Sequence, residues 1–419
     1  MPTFPTELFE EIIAWIPAVC GWDLRVRYPT LLSCSLVCSA WLPASRHQLF
    51  QALDIDTPER YDLLVSRVLH WEKMRVNLLS VRTVVLSPSS DTPVWRPFVL
   101  EFAGHLPNVT DMYLYSRSVE AFLLHRSSVV VISRFASVQS LSISHCDFPS
   151  FGALRRTLTS LPSLNNLRLE SSSWPDPAAD LSTSLSHGAS TVRRPALLWL
   201  TVWWDAEPPH RGRAQQFMAW LSETATSSSL LDLDLGFIHR TLDDQTGYIA
   251  TFGPSLLRFG RGLRKLKIVI GESYDPELEM FFCTLESLNV FSLHFRAIQP
   301  DSWVQLERLV HSLPCPKQLV ELKIDVGFSS GPLELSEFDG LEALDLALPL
   351  ELFKDLQAMQ FHVEYIKEEG DPEEGPDVTE PMLAVIKSKL PKLFARNIIN
   401  VSASAYKVSA GTEMRPITN

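Results

Sequence analysis

The chain is short of cysteine, of long apolar runs and of positive charge. Its six cysteines (Cys20, Cys34, Cys38, Cys146, Cys283 and Cys315) among 419 residues are too sparse and scattered for a disulfide framework, and fit reduced thiols in the cytoplasm or nucleus. No apolar run approaches the ~20 residues that span a bilayer, so no membrane helix is expected. No basic-then-apolar leader opens the sequence, where Glu7, Glu10 and Glu11 follow almost at once, and secretion is not expected. The glycosylation patterns at Asn108 and Asn400 then carry no meaning. Lys and Arg number 37 against 49 Asp and Glu, a formal net charge of -12, which argues against nucleic acid or an anionic membrane as the main partner.

Motifs of bond chemistry are also missing. There is no HExxH, no Gly-rich phosphate loop and no four-ligand zinc pattern, so no metal, cofactor or enzymatic activity is expected. Gly260-Arg261-Gly262 reads as a turn. Asp232-x-Asp234-x-Gly236 has part of a calcium loop but lacks the remaining ligands. His145-Cys146-Asp147 offers a base, a nucleophile and a carboxylate, yet adjacent residues cannot converge into a relay. Cys34 and Cys38 stand four apart, as ligands can, but two further ligands are absent and buried apolar roles are expected.

What is present is globular: 46% apolar and 21% charged residues. The first fifty residues read as three short helices. Pro5 suits a first turn, and Glu7, Glu10 and Glu11 sit near the positive end of the helix dipole. Leu8, Ile12, Trp15 and Ile16 form one stripe, which Pro17 is expected to end; a looser segment, Ala18 to Pro29, follows. Thr30 is the expected N-cap of a second helix, and a third begins near Trp41 and continues through Leu49 and Phe50. The apolar faces exceed what so short a module can bury alone.

These residues resemble an F-box of the kind common in fungal proteins: Phe4-Pro5-x-Glu7-Leu8, then Ile12-Ile13, then Leu31-Leu32-x-Cys34-x-Leu36-Val37-Cys38-x-x-Trp41-Leu42, then Leu49-Phe50. Phe4 stands where leucine is usual, and the loop from Pro17 to Pro29 is longer than usual. The resemblance implies docking on the Skp-type adaptor of an SCF cullin-RING ubiquitin ligase, with Pro5, Leu8, Ile12, Ile13, Leu36, Val37, Cys38, Trp41 and Leu42 as contact or core residues.

Beyond residue 60 the pattern apolar-x-x-apolar-x-apolar recurs. Its copies start at Val81, Val109, Val138, Leu164, Leu197, Leu230, Leu263, Leu285, Leu319 and Leu341, spaced 22 to 34 residues apart, with a weaker one at Leu356. Helical stretches separate them, such as Ser118–Phe135, Phe151–Leu161, Arg213–Ala225 and Ser302–Leu313. A short strand and a helix at this period resemble leucine-rich repeats, although the Asn or Cys that should follow each strand is clear only at Cys146. The expected fold is α/β: a three-helix F-box module (1–52), a linking helix (53–79), a degenerate leucine-rich-repeat solenoid (80–365) with short parallel strands on the concave side and helices on the convex side, an acidic loop (366–378), and a capping helix, Pro381–Arg396, with a disordered tail (379–419).

Residues at the x positions alternate away from the core and would line the concave face. Tyr113, Arg168, Trp199, Trp203, Asp232, Asp234, Lys265, Lys267 and Lys323 are the candidate target-binding residues, with Asn289, Phe291 and Asp345 in the same row. Two readings stay open: the tryptophans and charges hold a partner, or the charges pair between neighbouring strands. The expected function is recruitment of a target protein to a ubiquitin ligase by proximity, without catalytic residues of its own. The alternative is a non-ligase interaction scaffold using the same two surfaces.

Overall fold

The computed structural model describes residues 5–20, 24–87, 95–115, 131–175, 194–205, 208–238, 248–270, 277–295, 302–328, 338–348, 351, 353–367, 379–408 and 414–416. The chain divides into two compact units, Met1–Leu197 and Leu198–Asn419.

Three helices open the first unit: α1 (Thr6–Cys20), α2 (Leu24–Ser35) and α3 (Trp41–Phe50). Ile13 and Leu31 are fully buried at their centre, and Phe9 leans on Trp41 with ring centroids 5.5 Å apart. Pro17 does not end α1, and Thr30 does not start α2. Both prolines, Pro17 and Pro29, lie inside their helices, so the described part of the expected long loop is helical. Thr30 Oγ1 donates back to the Val26 carbonyl at 2.8 Å instead of capping. The ladder N–H that each proline lacks is offset by the apolar side chains the helices bury, Ile13 from α1 and Leu31 from α2.

The stretch 53–79 is not a plain linking helix. It opens within a strand, β1 (Ala52–Ile55), followed by α4 (Pro58–Leu64), a wide π-type turn over Val65–Leu69, and α5 (Glu72–Arg75). The Thr57 side chain accepts the Arg60 N–H and so fixes the start of α4. The front helices are tied to this first repeat: the Tyr28 hydroxyl donates to the Ala52 carbonyl at 2.7 Å, and His47 Nδ1 lies 3.0 Å from Ser80 Oγ.

Strands β2 (Thr83–Leu86), β3 (Asp111–Tyr115), β4 (Ser140–Ser144) and β5 (Asn166–Glu170) then add to β1 in chain order, all parallel. Their register stacks Val84, Met112, Leu141 and Leu167 in one ladder and Leu86, Leu114, Ile143 and Leu169 in the next, and all eight are buried. Each such side chain contributes about 1.5–3 kcal/mol on burial, more than a strand this short could gain by itself. Helices α6 (Trp95–Phe102) and α7 (Phe151–Ser160) supply the other side of this core, with Phe98 stacked on Phe102 at 4.8 Å and buried Phe151, Leu154 and Leu158.

After β4 and β5 the chain turns through left-handed residues, His145 (φ 55) and Ser171 (φ 40). That turn brings buried Cys146 and Ser172 inward, where Cys146 Sγ lies 3.4 Å from the Ser144 carbonyl and Ser172 Oγ donates to the Glu170 carbonyl at 3.0 Å. Ser172 thus fills in the next repeat the place that Cys146 holds, an equivalence the residue type conceals.

The second unit continues the same logic with β6 (Trp199–Asp205), α8 (Pro208–Ser222), α9 (Thr226–Ser229), β7 (Asp232–Ile238), α10 (Tyr248–Phe259), β8 (Lys265–Ile270), α11 (Glu277–Phe282), β9 (Val290–Phe295), α12 (Ser302–His311) and β10 (Glu321–Phe328). Next come α13 (Glu342–Ala347), β11 (Ala358–Lys367), α14 (Thr379–Lys389), α15 (Pro391–Ala395), β12 (Ile399–Val408) and β13 (Met414–Pro416). Strands β6 to β12 are parallel neighbours in chain order, and β13 closes the edge antiparallel to β12. The ladder Leu200, Leu233, Leu266, Phe291, Leu322, Met359 is buried throughout, and aromatic rings from the helices cover it, as where Phe282 meets Phe291 at 5.1 Å.

Three expectations fail in this unit. The copy starting at Leu285 is three residues out of register: the strand pairs Leu266 with Phe291, so Leu288, Phe291 and Leu293 carry the pattern, Phe291 is buried, and Asn289 precedes the strand. The copy starting at Leu341 is helix α13, not a strand. The tail after the expected capping helix carries two more strands, whereas the weaker copy at Leu356 does lead into a strand, as expected. Most of Ser118–Phe135, of the acidic loop and of the long loop 171–194 lies outside the described residues. The architecture is therefore α/β, with N-terminal helices followed by parallel strand–helix repeats of leucine-rich-repeat type.

Candidate interaction surfaces

The first surface is on the front helices. With Ile13 and Leu31 spent on the module's own centre, the remaining apolar positions face outward: Leu8, Ile12 and Trp15 from α1, and Leu36 and Val37 from the turn before α3. Leu36 is 85% exposed. Of the nine residues expected at an adaptor contact, Pro5, Leu8, Ile12, Leu36, Val37 and Cys38 are exposed, Trp41 and Leu42 are half-buried, and Ile13 is core. Cys34 is half-buried and its thiol is pushed up by burial, while Cys38 is exposed, so the expected pair of buried cysteines is not formed. Underneath, Arg27 is buried, donates to the Gln48 carbonyl at 3.3 Å and is lowered by loss of water.

The second surface is the outward side of the strands. In the first unit, Tyr113 is half-buried and its hydroxyl is raised by burial and by Asp111, against the opposing pull of Arg168. Arg168 is exposed and forms an ion pair with Glu170, Nε to Oε1 2.7 Å, and Glu170 in turn accepts from Ser144 Oγ at 2.9 Å.

In the second unit, register sets Trp199, Asp232 and Lys265 side by side, and Thr201, Asp234 and Lys267 in the row above. Most of the charges pair locally. Trp203 Nε1 donates to Asp234 Oδ1 at 3.1 Å, Lys267 Nζ lies 3.5 Å from Asp325 and 6.0 Å from the centre of the Trp203 ring, and Lys323 is 3.4 Å from Glu321. Trp203 can lie flat because its neighbour is Gly236, where an added Cβ would come within 2.9 Å of Val269 and 3.4 Å of the indole. The Asp232–Lys265 contact is loose at 4.0 Å, and burial raises the Asp232 carboxyl although Lys265 opposes it. His362 is held between Ser402 and Ser404, at 2.9 and 3.0 Å. Contacts within the strand face thus account for most of the row, and Trp199, 49% exposed, stands out as an exposed large apolar side chain on it.

Asp345, expected in this row, is buried elsewhere; its carboxylate accepts the N–H groups of Lys392 and Leu393 at 3.2 and 3.0 Å. The sequence reading missed Tyr28, whose position in a half-buried helix carried no signal of its bond to the first strand. His145 is exposed and Cys146 buried, so these two do not converge. Among the described residues no group of three or more His, Cys, Asp or Glu could hold a metal ion, and no helix is long and apolar enough to cross a membrane.

No protein-family model matches the chain, and no curated protein matches it. Among solved structures, that of the TLR13–ssRNA13 complex is similar at 16% identity and a TM-score of 0.28 over 85% of this chain. The chain spans 55% of the length of that one. A likeness of this size carries no argument; the architecture rests on the strand order and register described above.

Proposed function

We propose that the protein is a target-recruiting subunit of an SCF-type cullin-RING ubiquitin ligase, with the front helices docking on the Skp-type adaptor and the strand face holding a target protein. The single observation that carries the reading is the front module: an F-box-like sequence whose helices leave Leu8, Ile12, Trp15, Leu36 and Val37 open to solvent. Apolar helix faces that enter a partner's groove are a recurring mode of recognition. The protein would contribute position rather than bond chemistry, holding a target's lysine near the ubiquitin carrier. Its place would be the cytoplasm or nucleus, where such ligases act.

Capture of the full-length chain by purified Skp-type adaptor tests this directly. Wild-type protein is expected to bind, and the pair Leu36→Asp and Val37→Asp to lose at least tenfold in affinity with unchanged thermal midpoint. These two residues are a cleaner choice than Trp41, which also packs on Phe9 within the module. Failure of the wild type to bind, or full affinity in the double variant, overturns the reading.

A further inference from the structure

Trp199 is an exposed large apolar side chain on strand β6, and its register partner is Asp232. One row away the same chemistry appears already satisfied. There an indole, Trp203, donates to a carboxylate, Asp234, and an ammonium, that of Lys267, sits over the ring while pairing with Asp325. A tryptophan face attracts a cation through its quadrupole, and a neighbouring carboxylate adds direct charge attraction.

At Trp199 and Asp232 two parts of that arrangement are present and the third is weak. Lys265 reaches Asp232 only at 4.0 Å, with its side chain 58% exposed, and no cation is placed over the Trp199 ring among the described residues. Charge points the same way. At the outward positions of β7, β8 and β10, Asp232, Asp234, Glu321 and Asp325 stand against Lys265, Lys267 and Lys323, four carboxylates to three ammonium groups. The chain as a whole carries -12. A hydrophobic segment would leave Asp232 without a partner, and an acidic one would be repelled.

We propose that Trp199 and Asp232 form a docking point for an arginine side chain on an extended basic segment of a partner protein, its guanidinium stacked on the indole and paired with the carboxylate. This deepens the target-binding role given to the strand face and rests on it. Arginine suits the site better than lysine because its planar, weakly hydrated head can stack and pair at once.

The test is a titration of the full chain, labelled with ¹⁵N at tryptophan, with the peptide acetyl-Gly-Arg-Gly-Arg-Gly-amide and its citrulline counterpart, which keeps shape and loses charge. Trp199→Phe assigns the indole resonance. The arginine peptide is expected to shift the Trp199 signal, with affinity falling about fivefold or more in Trp199→Ala and in Asp232→Asn, and weakening with salt. The citrulline peptide should leave the signal in place. Equal binding of both peptides, a shift confined to other tryptophans, or full affinity in both variants overturns the proposal. The titration needs no adaptor. A chain that fails to capture adaptor yet binds the arginine peptide refutes the ligase reading alone; the opposite result refutes this site alone.

Discussion

Asp345 and Asp232 show how one residue type is settled by its surroundings. Asp345 looked like a surface charge because it sat at the x position of an apolar pattern. Its carboxylate instead closes the start of α15 by accepting two backbone N–H groups. Asp345→Ala should therefore cost about 1–2 kcal/mol in urea denaturation, and Asp345→Asn less, because the amide oxygen can still accept one of the two N–H groups. Asp232 behaves differently. Burial raises its carboxyl above the ordinary 3.8, and Lys265 opposes the rise. A raised carboxyl favours folding while protonated, so its contribution is present in acid and is lost as the pH climbs through the raised value. At neutral pH Asp232→Asn should leave the urea midpoint unchanged or slightly higher, and the gap from wild type should close below 3.8. A lower midpoint for the variant at neutral pH would mean that the Lys265 pair outweighs the burial penalty.

At the level of elements, the recurring apolar pattern made strands and their outward faces legible wherever one register alone fitted. It misled where two did. Leu285, Leu288 and Phe291 are spaced by three, so the strand could be set at either end of the run, and only pairing with Leu266 on the neighbouring strand decides. Leu341 and Leu344 suit a helix as well as a strand, and the chain enters α13 there, just after Gly340 at φ 93. The cross-strand contacts of the outward row, Trp203 with Asp234 and Lys267 with Asp325, were unreadable for the same reason, since each partner lies on another strand. Helix packing makes its own demands. An added Cβ at Gly253 on α10 would lie 2.3 Å from the buried Phe281 ring of α11. Gly253→Ala gains about 1 kcal/mol of helix propensity, but three ring atoms fall within 3 Å, so overpacking of about 1–3 kcal/mol should prevail and lower the thermal midpoint. An unchanged or raised midpoint would show that Phe281 has room to turn aside.

Over the whole molecule, the two docking points under test belong to different compact units, the front helices to Met1–Leu197 and Trp199 with Asp232 to Leu198–Asn419. Recruitment by proximity asks that a protein hold two partners at once, so neither surface should depend on the other. Effects at sites without shared partners add to within about 0.5 kcal/mol. Leu36→Asp with Val37→Asp should consequently abolish adaptor capture while leaving the arginine-peptide titration intact, and Trp199→Ala should do the reverse. A chain carrying all three changes should lose each activity by the same factor as the separate variants. Loss of peptide binding from the front-helix changes, with the thermal midpoint preserved, would instead reveal that one surface governs the other, and a simple bridging role would no longer suffice.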